Sequence, residues 1–160
     1  MLSVTHVRTY ASTGLSIVHW LAILRVGLGL WWLESWRHKN KKAWFERGSG
    51  IAWAQSVAEK HRWPVVKRGF EKIVAPRPKA MSYLIVYCEL ALGLGLTFGF
   101  LTPIAAGFSV LLNLVYFVLM IHDWAEQGQN LMMVVMGIVV LGTHAWQTWS
   151  LDHVLHIFGH

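Results

Sequence analysis

A single cysteine, Cys88, occurs in 160 residues. That scarcity excludes an intrachain disulfide and any cysteine-rich metal or iron–sulfur site. Acidic residues are few as well: eight Asp and Glu stand against 14 Lys and Arg, for a formal net charge of +6. No G-x-G-x-x-G opens a helix, and there is no Walker loop and no nucleophile elbow, so nucleotide chemistry and serine hydrolysis have no support. The chain is instead rich in apolar residues, 55% of the total, a composition that argues against a soluble globule.

The apolar residues come in spans. Residues 14–36, 80–100, 103–125 and 130–150 are each about 20 residues long, the length that crosses a bilayer core of roughly 30 Å. The expectation is an all-α integral membrane protein, a four-transmembrane-helix bundle forming one domain over residues 1–160. The first 13 residues contain Arg8 and lead into a segment without a small-residue cleavage site, so an uncleaved first helix is expected rather than a signal peptide.

Charge orients the bundle. Twelve of the 14 Lys and Arg lie between Arg37 and Lys79, and the other two are Arg8 and Arg25. By the positive-inside rule this connection is cytoplasmic, with both termini outside and the protein in the cell's inner membrane. The basic balance thus reports topology and not nucleic-acid binding. Within the connection Val66, Phe70, Ile73 and Val74 share one helical face, opposite Lys67, Arg68, Glu71 and Lys72. Together with Trp44, Trp53 and Trp63, this pattern suits an amphipathic segment lying at the membrane surface, or a docking surface for another subunit.

The polar residues inside the spans need an account, because an unpaired charge in a bilayer costs several kcal/mol. Arg25 and Glu89 each lie 11 residues from the outer end of a span, and Asn113 lies ten residues into the third. Equal depth predicts that Arg25 holds Glu89, with Asn113 beside them, either as a structural lock or as the border of a ligand pocket or proton path. Toward the cytoplasmic face Glu34, His38, Tyr83, His122, Asp123 and Asn130 have the chemistry to bind quinone carbonyls and carry protons, or simply to cap helix ends. The pairs His19 with His144 and His38 with His122 are depth-matched. Such matches arise easily among nine histidines, so haem is not expected. His153, His156 and His160 lie on a short tail and do not make a preorganised metal site.

Three segments carry a family resemblance. The run LRVGLGLWWLESWRHK, residues 24–39, resembles the opening helix of the DoxX/DoxD membrane proteins, where L-R-x-x-L-G leads through an aromatic-Leu pair to a lysine. ELALGLGLTFGFLTPIAA, residues 89–106, is similar to that family's E-L-x-x-G-x-x-L-x-x-G-x-x-T segment. GQNLMMVVMGIVVL followed by WSLD resembles its closing G-x-N helix and S-L-D end. Trp36 stands where many members have glycine, and the long basic segment is more like the DoxD side of the family.

The resemblance implies a four-helix membrane subunit, in some relatives the large subunit of thiosulfate:quinone oxidoreductase, working with a small partner. On that analogy Arg25, Glu89 and Asn130 are the positions to watch. The expected function is a quinone-binding redox subunit in which Arg25, Tyr83, Glu89, Asn113 and Asn130 form the pocket and Glu34, His38 and His122 relay protons. The alternative is a non-catalytic accessory or scaffold subunit of a larger assembly. Expected partners are the bilayer, other membrane or small soluble subunits, and further copies of the chain.

Overall fold

The computed structural model describes residues 15–158; the N-terminal segment with Arg8, and His160 at the other end, lie outside the described residues. Helices follow one another in the order α1 (Ile17–His38), α2 (Lys41–Arg47), α3 (Ser49–Glu59), α4 (Pro64–Ile73), α5 (Pro78–Phe98), α6 (Thr102–Leu119), α7 (Trp124–Gly142) and α8 (Leu151–Val154), and no strand occurs among the described residues. Three of them, α1, α5 and α6, are long and apolar enough to cross a membrane. Their outward faces carry exposed Ile23, Leu30, Leu84, Leu94, Phe108 and Leu111, as lipid contact requires.

The fourth expected span, residues 130–150, is not among these three helices. The helix runs over Trp124–Gly142 and not over residues 130–150, and residues 143–150 form turns. Asp123 sets its start, because the carboxylate accepts from Ala125 N at 3.1 Å and Glu126 N at 3.2 Å and so satisfies two of the free donors at a helix N-terminus.

Glycines fix the register of α1 against α5. A Cβ at Gly29 would lie 2.5 Å from Thr97 N, and one at Gly93 would lie 2.6 Å from Leu33 Cδ2. Only hydrogen fits at either place, so the two backbones approach closely, which is how apolar helices associate where lipid is as greasy as protein. Gly137 of α7 does the same against Val110 of α6. Leu28, Trp32, Leu92, Leu96, Ala106 and Val140 fill the space between.

This register corrects the expected ion pair. With Gly29 against Thr97 and Leu33 against Gly93, Arg25 stands level with the turn after α5 and Glu89 level with the end of α1. The two are separated by about 18 Å along the bundle. Equal distance from the ends of the apolar runs misled because the runs are offset, with α1 beginning well beyond the level at which α5 ends.

Arg25 instead holds the C-terminal segment. Its guanidinium is fully buried and donates to Ala145 O at 3.0 Å, Thr148 O at 3.3 Å and Trp149 O at 2.6 Å. Asp152 lies near enough to act on it electrostatically. Asp152 is itself buried and accepts from Leu101 N and Thr102 N, each at 2.7 Å. It thereby caps α6 from fifty residues away in the chain. The cap also steadies Leu101, whose φ of 51° costs a side-chain-bearing residue about 1–2 kcal/mol.

The basic connection folds as three short helices, α2, α3 and α4. Val66 and Phe70 of α4 pack with Ala58 of α3 on Leu119 and Met120 at the end of α6, while Ile73 remains 66% exposed. His61 pins the segment: its Nε2 meets Val118 O at 2.9 Å and its Nδ1 accepts from Trp63 N at 3.1 Å. The expected apolar stripe is therefore divided between protein and surface.

Replacing Asp152 with alanine removes the α6 cap and the carboxylate near Arg25. We expect a loss of at least about 1–2 kcal/mol, read as a lowered melting temperature in detergent and faster proteolysis within residues 143–150. Unchanged melting and cleavage would show that the C-terminal segment contributes nothing to the bundle.

Candidate functional site

Glu89, the one carboxylate on α5, is 1% exposed. Lys39, the residue that ends α1, supplies its partner. With φ −69° and ψ 129° Lys39 leaves the helical path, and its Nζ donates to Glu89 Oε2 at 2.5 Å and to Ser35 Oγ at 3.1 Å. Ser35 Oγ also approaches Glu89 Oε2 at 3.4 Å. The Trp44 ring lies 5.1 Å from the ammonium, so the cation is flanked by a carboxylate, a hydroxyl and an aromatic face.

Beside this pair lies a cavity of about 190 Å³ bordered by α1, α2, α3, α5, α6 and α7. Its polar wall includes Glu89, Lys39, Ser35, Asn113 and Asn130, and its aromatic wall includes Trp31, Trp32, Trp44 and Tyr116. Trp31 and Trp53 border it and are about half exposed, 47% and 56%, so the cavity is not sealed. Trp44 is held in the wall by Gly50, where a Cβ would sit 2.1 Å from the indole ring.

The amides are arranged unequally. Asn113 Nδ2 donates to Ser109 O at 2.8 Å, and Ser109 Oγ accepts from Trp32 Nε1 at 2.8 Å. Asn113 Oδ1 is buried and has no hydrogen-bond partner. A buried acceptor without a donor costs about 1–3 kcal/mol, and here it belongs to a side chain that lines the cavity. Asn130 is held one turn back by Nδ2 donating to Glu126 O at 2.7 Å.

Of the residues singled out from the sequence, Glu89, Asn113 and Asn130 converge on this cavity. Arg25 does not, being committed to the carbonyls at the other end of the bundle. Glu34 and His38 lie exposed on the last turns of α1: Arg37 donates to both oxygens of Glu34 at 2.7 Å, and His38 Nδ1 lies 3.1 Å from a carboxylate oxygen of the same Glu34. His122 sits edge-on to His61, ring centroids 5.8 Å apart, and Tyr83 stacks on Phe45 at 4.2 Å. None of these four borders the cavity. The depth-matched histidines also have separate contacts, His19 with Ser16 and Trp149, His144 with Trp146. Among the described residues no group of three His, Cys, Asp or Glu side chains converges to hold a metal ion.

Lys39 was the omission. Its signal was present in the sequence as the lysine closing the first resembling segment, four residues after Ser35. Treated only as one of twelve basic residues in the connection, it was not distinguished from its solvated neighbours.

A family model described as DoxX matches residues 20–123. The chain belongs to the DoxX family. The matched region of this DoxX-family protein runs from α1 to the end of α6 and includes Lys39, Glu89 and Asn113, while α7 with Asn130 and the S-L-D end lies beyond it. No curated protein and no solved structure matches the chain.

The ion pair predicts a double-mutant signature. Lys39→Met leaves Glu89 buried without its cation, and Glu89→Gln leaves Lys39 without its anion. Each is expected to destabilise the solubilised protein by about 3 kcal/mol, with the double variant recovering most of the loss. Additive losses, measured by thermal or denaturant melting, would show that the two charges do not depend on each other.

Proposed function

We propose that this chain is a quinone-binding membrane subunit of an oxidoreductase, holding the quinone ring in the cavity beside Lys39 and Glu89. The observation that carries the reading is the unpartnered Asn113 Oδ1, buried on a side chain that lines the same cavity as Lys39. A quinone presents carbonyl acceptors and its reduced form presents hydroxyl donors. Lys39 Nζ, by exchanging its long 3.4 Å bond to Ser35 O, is a donor for the former, and Asn113 Oδ1 is an acceptor for the latter. A cavity of about 150 Å³ accommodates benzene, so about 190 Å³ suits a substituted ring flanked by Trp32, Trp44 and Tyr116.

Bound quinone supplies two-electron redox chemistry coupled to two protons. The residues of this chain bind and orient the ring, and Glu89 and Lys39 each have a site at which a proton is held. The electrons come from a donor on a partner chain or from a small reduced substrate, thiosulfate being the one that the DoxD-side resemblance implies. In this reading α7 is a fourth span, the basic helices α2 to α4 lie on the cytoplasmic side of the inner membrane, and both chain ends lie outside, consistent with the distribution of Lys and Arg.

A second reading, a non-catalytic accessory subunit, is favoured by exposed Trp53, Trp63 and Trp124, the last 86% accessible. These rings offer a docking surface at the basic end of the bundle.

Titration of a tailless benzoquinone, followed by quenching of tryptophan fluorescence, separates the two. Asn113→Leu removes both the unpaired Oδ1 and the Nδ2 bond to Ser109 O, a carbonyl already within the α6 ladder, so the two changes roughly offset without ligand. The expected outcome is a melting temperature close to that of the unmodified protein, with headgroup affinity weakened about tenfold, equivalent to about 1.4 kcal/mol. No saturable quenching in either protein, with co-purification of other subunits that truncation of the three tryptophans abolishes, would establish the accessory reading instead.

A further inference from the structure

The cavity accounts for a ring but not for the apolar chain of a membrane-soluble ligand. A separate groove of about 830 Å³ runs between α5 and α6. It is lined by apolar side chains, among them Leu84, Leu94, Phe98, Phe108 and Leu111. These five residues are exposed on the surface of helices read as membrane-spanning. The groove exists because α5 and α6, although joined by a tight turn, pack against each other much less than α5 packs on α1 or α6 on α7.

Ile85 lines both spaces. It lies one turn before Glu89 on α5, between the polar cavity and the apolar groove, and Cys88 continues the groove wall directly beside Glu89. From Leu84 to Phe98 the wall extends for roughly 21 Å along the helix. That is far longer than any ring and suited to an extended hydrocarbon chain.

We infer that the ligand is a long-tailed amphiphile, with its polar ring beside Lys39 and Asn113 and its isoprenoid or alkyl tail lying in the α5–α6 groove past Ile85. This inference rests on the headgroup reading above and adds the tail, and with it a lateral route from the bilayer. A tail gains little hydrophobic free energy on moving from lipid into an apolar groove. Its position, and not its affinity, is therefore the quantity to measure.

The test is photolabelling of the full-length protein in lipid nanodiscs with a long-chain quinone bearing a diazirine on its tail. Labelled peptides are mapped with and without excess tailless quinone. The expected result is labelling concentrated in residues 84–115 and lost on competition. Ala91 is exposed on the groove wall, so Ala91→Trp is expected to fill the groove and abolish this labelling without changing saturable binding of the tailless ring. Competable labelling on α1 or α7 would overturn the tail assignment and leave the headgroup site standing. Labelling of residues 84–115 that persists under competition would also overturn it, because ordinary lipid-facing exposure accounts for such a result. Absence of both competable labelling and tailless-quinone binding would overturn the headgroup reading along with it.

Discussion

The arrangement of the bundle follows from the burial of Glu89. A carboxylate in the middle of a 21-residue apolar helix is tolerable only if a cation reaches it, since the idealised cost of stripping water from an ion is tens of kcal/mol and several remain after relaxation. Arg25 is the obvious intramembrane cation, yet the close approaches at Gly29 and Gly93 set it about three turns away from Glu89. The nearest basic side chain at the proper level is the one that ends α1. Lys39 therefore breaks from the helix into extended backbone, and its long stem brings the ammonium into the bundle while Trp44 closes over it. The basic connection begins at that point, so the folding of α2 and α3 against the bundle and the neutralisation of Glu89 are consequences of one constraint.

The opposite end has a complementary arrangement. There a buried cation, Arg25, is satisfied chiefly by three carbonyls that the irregular chain after α7 exposes. A buried anion, Asp152, is satisfied by the free amides that open α6. Each charge thus answers backbone groups without partners of their own, carbonyls of the irregular segment for Arg25 and the N-terminal amides of α6 for Asp152. The segment after α7 is short and mostly irregular, but with its carbonyls and the Asp152 carboxylate both engaged it is an integral part of the fold. The bundle is fixed at two levels by two independent charge systems, which leaves the apolar faces between them free to meet lipid.

Much of this was readable from the residues, and the part that was not has a specific cause. Apolar length identified α1, α5 and α6, and the search for polar residues within the spans picked out three, Glu89, Asn113 and Asn130, that border one cavity. Pairing required register, and register is set by which glycines oppose which side chains. Hydropathy is blind to that, so Glu89 was assigned Arg25 in place of Lys39. The cytoplasmic-side group of Glu34, His38, Tyr83 and His122 was assembled from depth alone. Depth does not say which way around a helix a side chain points, and Glu34, His38 and Tyr83 point outward. Val66 and Phe70 were rightly placed on one face of a helix, but the sequence does not reveal that α3 and α6 would be there to receive them.

The one helix that apolar length described poorly is also the most informative. α7 opens with Glu126, Gln127, Gln129 and Asn130 before its apolar run begins, so it is the long helix that falls short of the other three as a membrane span. Three of those four residues, Glu126, Gln129 and Asn130, border the cavity. Placed toward lipid, such a cluster would leave several polar groups without partners. Placed toward the cavity, the side-chain amide of Asn130 folds back on its own helix and the rest face a space that already contains an ion pair and an unpaired amide oxygen. The weak hydropathy of α7 and the polar cavity are therefore the same feature, seen once in the sequence and once in the fold. A bundle designed only to anchor a scaffold would gain from replacing those residues with leucine. On the cavity wall those polar groups face one another and the Lys39–Glu89 pair instead of lipid.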